Sequence, residues 1–234
     1  MKSRVVALLL LLFGPAVAFR LHGLAFWGVY GGCCLMAAGL SAWELEQDGV
    51  LRETFKRKGF DLLVGMTAAA ALYAAVYLLF TRWIAPTHIA GGLLTRCSLD
   101  GPLLPRLEAH GQERVAEWFR VQICKGYANT LSIHGSGRGV VVLLVAVLEE
   151  IGWRGGAQQL LAERLGSTRG WIAASLLCGL AHALTPTPAL GGLALVCALV
   201  WGAMVRYRGR LIPAVFSHAV FSFYLFHQLP LVRF

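Results

Sequence analysis

Long uncharged stretches dominate the chain: residues 5–19, 21–43, 62–81, 170–205 and 211–232 contain no Asp, Glu, Lys or Arg. A helix needs about 20 apolar residues to cross a bilayer, and backbone groups in lipid must bond within their own segment. The fourth stretch has the length of two spans. Thr185-Pro186-Thr187-Pro188 divides it, because proline removes a helix donor and restricts the residue before it. A shorter run, Gly139 to Leu148, meets Glu149 and Glu150, yet Ile151, Trp153, Ala157, Leu160, Leu161 and Leu165 continue the apolar pattern. Residues 139–165 therefore read as one helix with its charges inside the membrane. The pattern predicts an all-α, polytopic transmembrane helix bundle of about seven spans in a single membrane domain, 1–234. Residues 82–138 form an amphipathic insertion that includes Leu107 to Cys124.

Composition agrees with this reading: 57% of the residues are hydrophobic and 14% charged, with mean hydropathy +0.65. That excludes an ordinary soluble surface. The net charge of +9 does not point to nucleic acid, since the basic residues sit at the ends of apolar runs and form no face. The basic loops 52–58 and 206–210, with Arg164 and Arg169, all fall on the cytoplasmic side if the amino terminus is inside. The insertion and the carboxyl terminus then lie outside. Trp27, Trp43, Trp83, Trp171 and Trp201 read as an interfacial belt, and His227 as interfacial. Lys2, Arg4 and the apolar run to Ala16-Val17-Ala18 resemble a secretory signal peptide, but a retained first span is the reading adopted. Cleavage after Ala18 would leave the remaining topology unchanged. Of the six cysteines, Cys97 and Cys124 fall in the outer insertion and are a candidate disulfide, while Cys33, Cys34, Cys178 and Cys197 lie in spans as packing residues.

Ionisable groups inside a membrane are costly and mark functional sites. Glu150 and Arg154 stand at i and i+4 and form an expected ion pair. Adjacent helical residues point about 100° apart, so the two glutamates are not expected to serve one spot, and Glu149 is left free for acid–base work. His182 follows Ser175, Cys178 and Gly179, a small-residue face that lets a neighbouring helix approach. His218 is followed one turn later by Ser222. Counted from the cytoplasmic helix ends, Glu149, His182 and His218 lie roughly 24, 18 and 10 Å deep.

Glu149-Glu150-Ile151-Gly152-Trp153-Arg154 resembles the EExxxR motif of the CPBP family, which includes type 2 CAAX prenyl endopeptidases and Abi-like bacteriocin-processing or immunity proteins. Cys178-Gly179-Leu180-Ala181-His182 resembles its FxxxH motif, and His218-Ala219-Val220-Phe221-Ser222 its HxxxN motif. The resemblance covers a catalytic core at 139–225 and implies a glutamic-type intramembrane protease. In it Glu149 activates water with help from His182, while His218 and Ser222 stabilise the oxyanion. Two positions depart from the family: Cys178 stands for phenylalanine and Ser222 for asparagine. Glu149, His182 and His218 are also zinc-type ligands. Without an HExxH helix, metal-free catalysis with no cofactor is the preferred reading.

The expected partners are the lipid bilayer and a membrane-attached protein or peptide cut near its carboxyl end, such as a sorting tail or a CAAX-like tail. Nucleic acid is not expected. A short chain rich in Ala, Gly, Leu and Arg, without organelle signals, fits a bacterial cell membrane. The alternative is a non-catalytic immunity or scaffold protein of the same fold, favoured by the changes at Cys178 and Ser222. A proton-coupled transporter would also explain buried glutamates, but it predicts paired half-helices or an internal repeat, and neither is seen.

Overall fold

The computed structural model describes residues 2–80, 95–96, 111–130, 133, 135–229 and 231–233. Among these the fold is helical, apart from a two-residue parallel pairing of Thr95-Arg96 with Val232-Arg233. Helices α1 (Lys2–Ala18) and α2 (Gly23–Gln47) form an antiparallel hairpin, and a short α3 (Leu51–Phe55) leads into α4 (Asp61–Leu79). After α5 (Gly111–Thr130), α6 (Ser136–Glu150) passes through a π-helical segment, Ile151–Ala157, into α7 (Gln158–Leu165) without a break. Helices α8 (Ser167–Ala183) and α9 (Ala189–Arg208) make the second hairpin, and α10 (Ile212–Phe223) ends in a π-helical turn, Tyr224–Gln228.

These helices follow the expected spans in order. By length and composition, however, only α2, α4 and α9 are long and apolar enough to cross a membrane among the described residues. The expected helix over 139–165 is present as one continuous rod starting at Ser136. Its charged centre and its π-helical segment explain why hydropathy alone does not find it. The Thr-Pro turn closes the second hairpin as predicted: the Thr185 hydroxyl donates to the His182 carbonyl at 2.7 Å and accepts the Thr187 amide at 3.2 Å.

Side-chain size is sorted as a bilayer requires. Leu63, Met66, Leu78, Leu144, Leu176 and Leu180 are exposed on the outside, whereas Ala37, Ala69, Ala146, Ala157, Ala181 and Ala198 are buried between helices. In lipid, apolar outer faces cost nothing, and small inner residues let backbones approach. Gly179 makes this explicit, since a Cβ there would stand 2.9 Å from Leu195 Cβ and 3.2 Å from the Gly191 carbonyl of α9. The small-residue face predicted around His182 thus seats α9.

One end of the bundle is fastened by charge. Buried Arg4 pairs with Asp48 and with Glu163, joining the ends of α1, α2 and α7. Asp61, fully buried at the start of α4, accepts from Arg208 at 3.0 Å and from Arg210 at 3.0 and 3.1 Å. Arg206 donates to Thr168 at the start of α8. These are the helix ends that the basic-loop count groups on one side.

Of the expected cysteine pair, Cys124 is disulfide-bonded, and Cys97 lies outside the described residues, as does Trp83. Most of the 82–138 insertion also lies outside them. Cys33, Cys34, Cys178 and Cys197 are free thiols.

Candidate functional site

Four helices bring the ionisable residues together. Glu149 and Glu150 end α6, Arg154 sits in the π-helical segment, His182 near the end of α8 and His218 in the middle of α10. Helix α2 supplies a residue that the motifs do not contain, Tyr30. The Glu149 carboxylate lies at the centre, with Oε1 3.7 Å from His182 Nε2 and Oε2 3.8 Å from His218 Nε2. Tyr30 donates its hydroxyl hydrogen to Glu149 Oε1 at 2.5 Å, and its oxygen is 3.4 Å from His182 Nε2.

The π-helical segment has a visible structural setting. Its glycines lie against α2: a Cβ on Gly156 would stand 2.1 Å from the Ser41 hydroxyl oxygen and 3.1 Å from Ser41 Cβ. Short π-helical insertions are rare and occur often at functional sites. This one begins directly after Glu150 and carries Arg154, so the motif spans a change in helix winding.

The second glutamate is also part of the site, which corrects the expectation that adjacent glutamates serve separate spots. His218 Nδ1 is 3.0 Å from Glu150 Oε1 while its Nε2 faces Glu149. One imidazole reaches both carboxylates because its two nitrogens point in different directions. The expectation that Glu149 is left free is likewise corrected by its hydrogen bond from Tyr30. The predicted Glu150–Arg154 pair is present, with Arg154 Nε 3.3 Å from Glu150 Oε2. The two groups are close but not aligned as a hydrogen bond, since neither atom has a hydrogen-bond partner.

Partners fix the hydrogens on both histidines. His182 Nδ1 is 2.9 Å from the Cys178 carbonyl, and a carbonyl can only accept, so Nδ1 carries the hydrogen. An ionised Glu150 imposes the same choice on His218 Nδ1. In the neutral rings, both Nε2 atoms then face Glu149 as acceptors.

Trp201 corrects a third expectation. It is buried and its ring stacks on His218, with centroids 3.8 Å apart and planes at 18°, so it belongs to the site and not to an interfacial belt. Its indole N–H donates to Ser217 at 3.0 Å, and the Arg154 guanidinium lies 5.9 Å from its ring centre. Tyr30 and Trp201 were the residues that motif reading missed. The signals were available, since Tyr30 places a hydroxyl inside an otherwise apolar span and Trp201 lies within its uncharged run, not at its end.

These groups line a cavity of about 120 Å³ that Ser222 also lines. The rest of its wall is apolar and includes Phe26, Trp27 and Leu193. A pocket with an apolar wall and a few convergent polar groups is the general form of a binding or reaction site. Among the described residues, no group of three or more His, Cys, Asp or Glu is arranged to hold a metal ion.

Residues 138–224 match the family model for Rce1-like proteins, described as type II CAAX prenyl endopeptidase Rce1-like. The match agrees with the family that the three motifs point to, and its limits fall within one residue of the predicted core. It encloses Glu149, Glu150, Arg154, His182, His218 and Ser222, and it leaves out Tyr30. No curated protein and no solved structure matches the chain.

Proposed function

We propose that the chain is an intramembrane endopeptidase in which Glu149 activates water, acting on a membrane-attached protein or peptide near its carboxyl end. The observation that carries this reading is the convergence of His182 and His218 on Glu149 within 3.8 Å. Peptide hydrolysis needs a base for water, donors for the tetrahedral oxyanion and a proton for the leaving amine. Glu149 takes the proton of the attacking water, with the acceptor nitrogen of His182 beside it, and returns it to the leaving nitrogen. His218 and Ser222 face the oxyanion. For His218 to donate through Nε2 both its nitrogens must carry hydrogen, and Glu150 on Nδ1 is the matching counter-charge.

All seven predicted helices belong to this reading as membrane spans, with the charge-fastened end in the cytoplasm of a bacterial cell. Cleavage of sorting tails or CAAX-like tails fits a site whose wall is largely apolar. The chain works without a metal in this scheme.

The test is cleavage by purified, membrane-reconstituted protein of membrane-attached substrates bearing different carboxyl-terminal tails. Loss of an acid–base group costs on the order of 10²–10⁴-fold in rate. Glu149→Gln and His182→Ala are expected to fall in that range at unchanged expression, and chelators to leave the wild type active. Full cleavage by Glu149→Gln would sink the glutamate mechanism. Inactivity of the wild type on every tail would favour an immunity or scaffold role.

A further inference from the structure

Glu149 has two carboxylate oxygens, and only one can take the proton of the attacking water at a time. Their surroundings differ. Oε1 accepts the Tyr30 hydrogen at 2.5 Å, whereas Oε2 faces His218 Nε2 at 3.8 Å, beyond direct hydrogen-bond range. Tyr30 is itself held firmly. Its ring stacks on Phe26 with centroids 5.6 Å apart and meets Phe19 edge-on at 5.8 Å, and its side chain is buried. A phenol carries a single hydrogen, and the short contact to Oε1 takes it in preference to the 3.4 Å contact to His182.

Resting on the glutamate reading, we infer that Tyr30 is a positioning residue of the reaction: its hydrogen bond makes Oε1 the less basic oxygen, fixes the plane of the Glu149 carboxylate and leaves Oε2 as the oxygen that reacts. The water gives a proton to Oε2 while its oxygen bonds to the substrate carbonyl carbon. When the intermediate collapses the C–N bond breaks, and the proton moves from Oε2 to the leaving nitrogen. Glu149 is again a carboxylate, and Tyr30 keeps its hydrogen throughout. The reacting oxygen is thereby the one beside His218, the ring assigned to the oxyanion.

The experiment compares wild type, Tyr30→Phe, Tyr30→Leu and Glu149→Gln in the reconstituted cleavage assay. Misplacing a reacting group by an ångström costs up to about a hundredfold. Tyr30→Phe keeps the ring contacts and is expected to lose about tenfold to a hundredfold in kcat. Its KM and thermal unfolding in detergent should match wild type. Tyr30→Leu is expected to lose activity and stability together. Wild-type kcat in Tyr30→Phe would reduce Tyr30 to a packing residue and overturn the inference, as would a raised KM at unchanged kcat. Glu149→Gln separates the two levels: if it cleaves normally the glutamate reading fails, and if it is inactive while Tyr30→Phe is fully active only the Tyr30 assignment fails. Should Tyr30→Phe accumulate poorly, single-turnover cleavage by its folded fraction, isolated by size exclusion, must show the same loss in rate.

Discussion

Arg154 and Glu150 are 2% and 1% exposed, among the most deeply enclosed charged side chains described. Removing one member of a buried pair costs about 3–5 kcal/mol, because it leaves an uncompensated charge in a low dielectric. Arg154→Met should therefore lower stability by about that amount, read from thermal unfolding in detergent. Adding Glu150→Gln to it should recover part of the loss, since the two sites are in contact and their effects are not additive. A double variant that loses as much as Arg154→Met and Glu150→Gln lose separately, added together, would mean that the pair has no mutual role. At this scale the sequence was informative where spacing within one helix decides the contact, as for Glu150 and Arg154. It marks Tyr30 and Trp201 only as unusual positions in their spans, because their contacts depend on which face of α2 or α9 turns toward α6 and α10. The unequal depth counts are compatible with one cavity once helix tilt and uncertain helix ends are allowed for, and the three side chains do meet.

The elements were legible to different degrees, according to what defines each of them. The hairpin α8–α9 follows from a proline turn and a small-residue face, both written locally, and both are observed. The π-helical segment after Glu150 was not foreseen, because its winding answers to the contact with α2, where Gly156 meets Ser41. The seating of α9 gives an element-scale prediction. Gly179→Val would drive a branched side chain into Leu195 and the Gly191 backbone, and overpacking of this kind costs about 1–3 kcal/mol. His182 lies one turn from that contact, so cleavage activity should fall along with the unfolding temperature. By contrast, Leu176→Ala on the exposed face of the same helix should leave both close to wild type. A Gly179→Val protein with normal stability and activity would show that α8 and α9 can separate without affecting the site.

At the scale of the whole molecule, the ionic contacts constrain how the helices can be threaded through a membrane. Arg4, Asp48 and Glu163 meet at one end, as do Asp61, Arg208 and Arg210, and each contact joins helix ends that the proposed orientation puts in the cytoplasm. Any topology that puts α1 and α4 on opposite sides must break one of these groups and leave Arg4 or Asp61 without its partners. Burying such a charge alone is costly enough to exclude that arrangement. Lys56, Tyr207 and Ser136 are exposed, the first two near the charge-fastened end and Ser136 at the start of α6, whose far end carries the chain toward Glu163. Single cysteines introduced by Lys56→Cys and Tyr207→Cys should react with a membrane-impermeant thiol reagent only from the cytoplasmic side. Ser136→Cys should react only from the opposite side. The native free cysteines lie within helices, and wild type supplies the background. Labelling of Lys56→Cys and Ser136→Cys from one and the same side would require α4 to α6 to cross the membrane a different number of times. That result would remove the seven-span threading while leaving the Glu149 site intact, because the site is assembled from side-chain contacts that do not depend on which compartment each end faces.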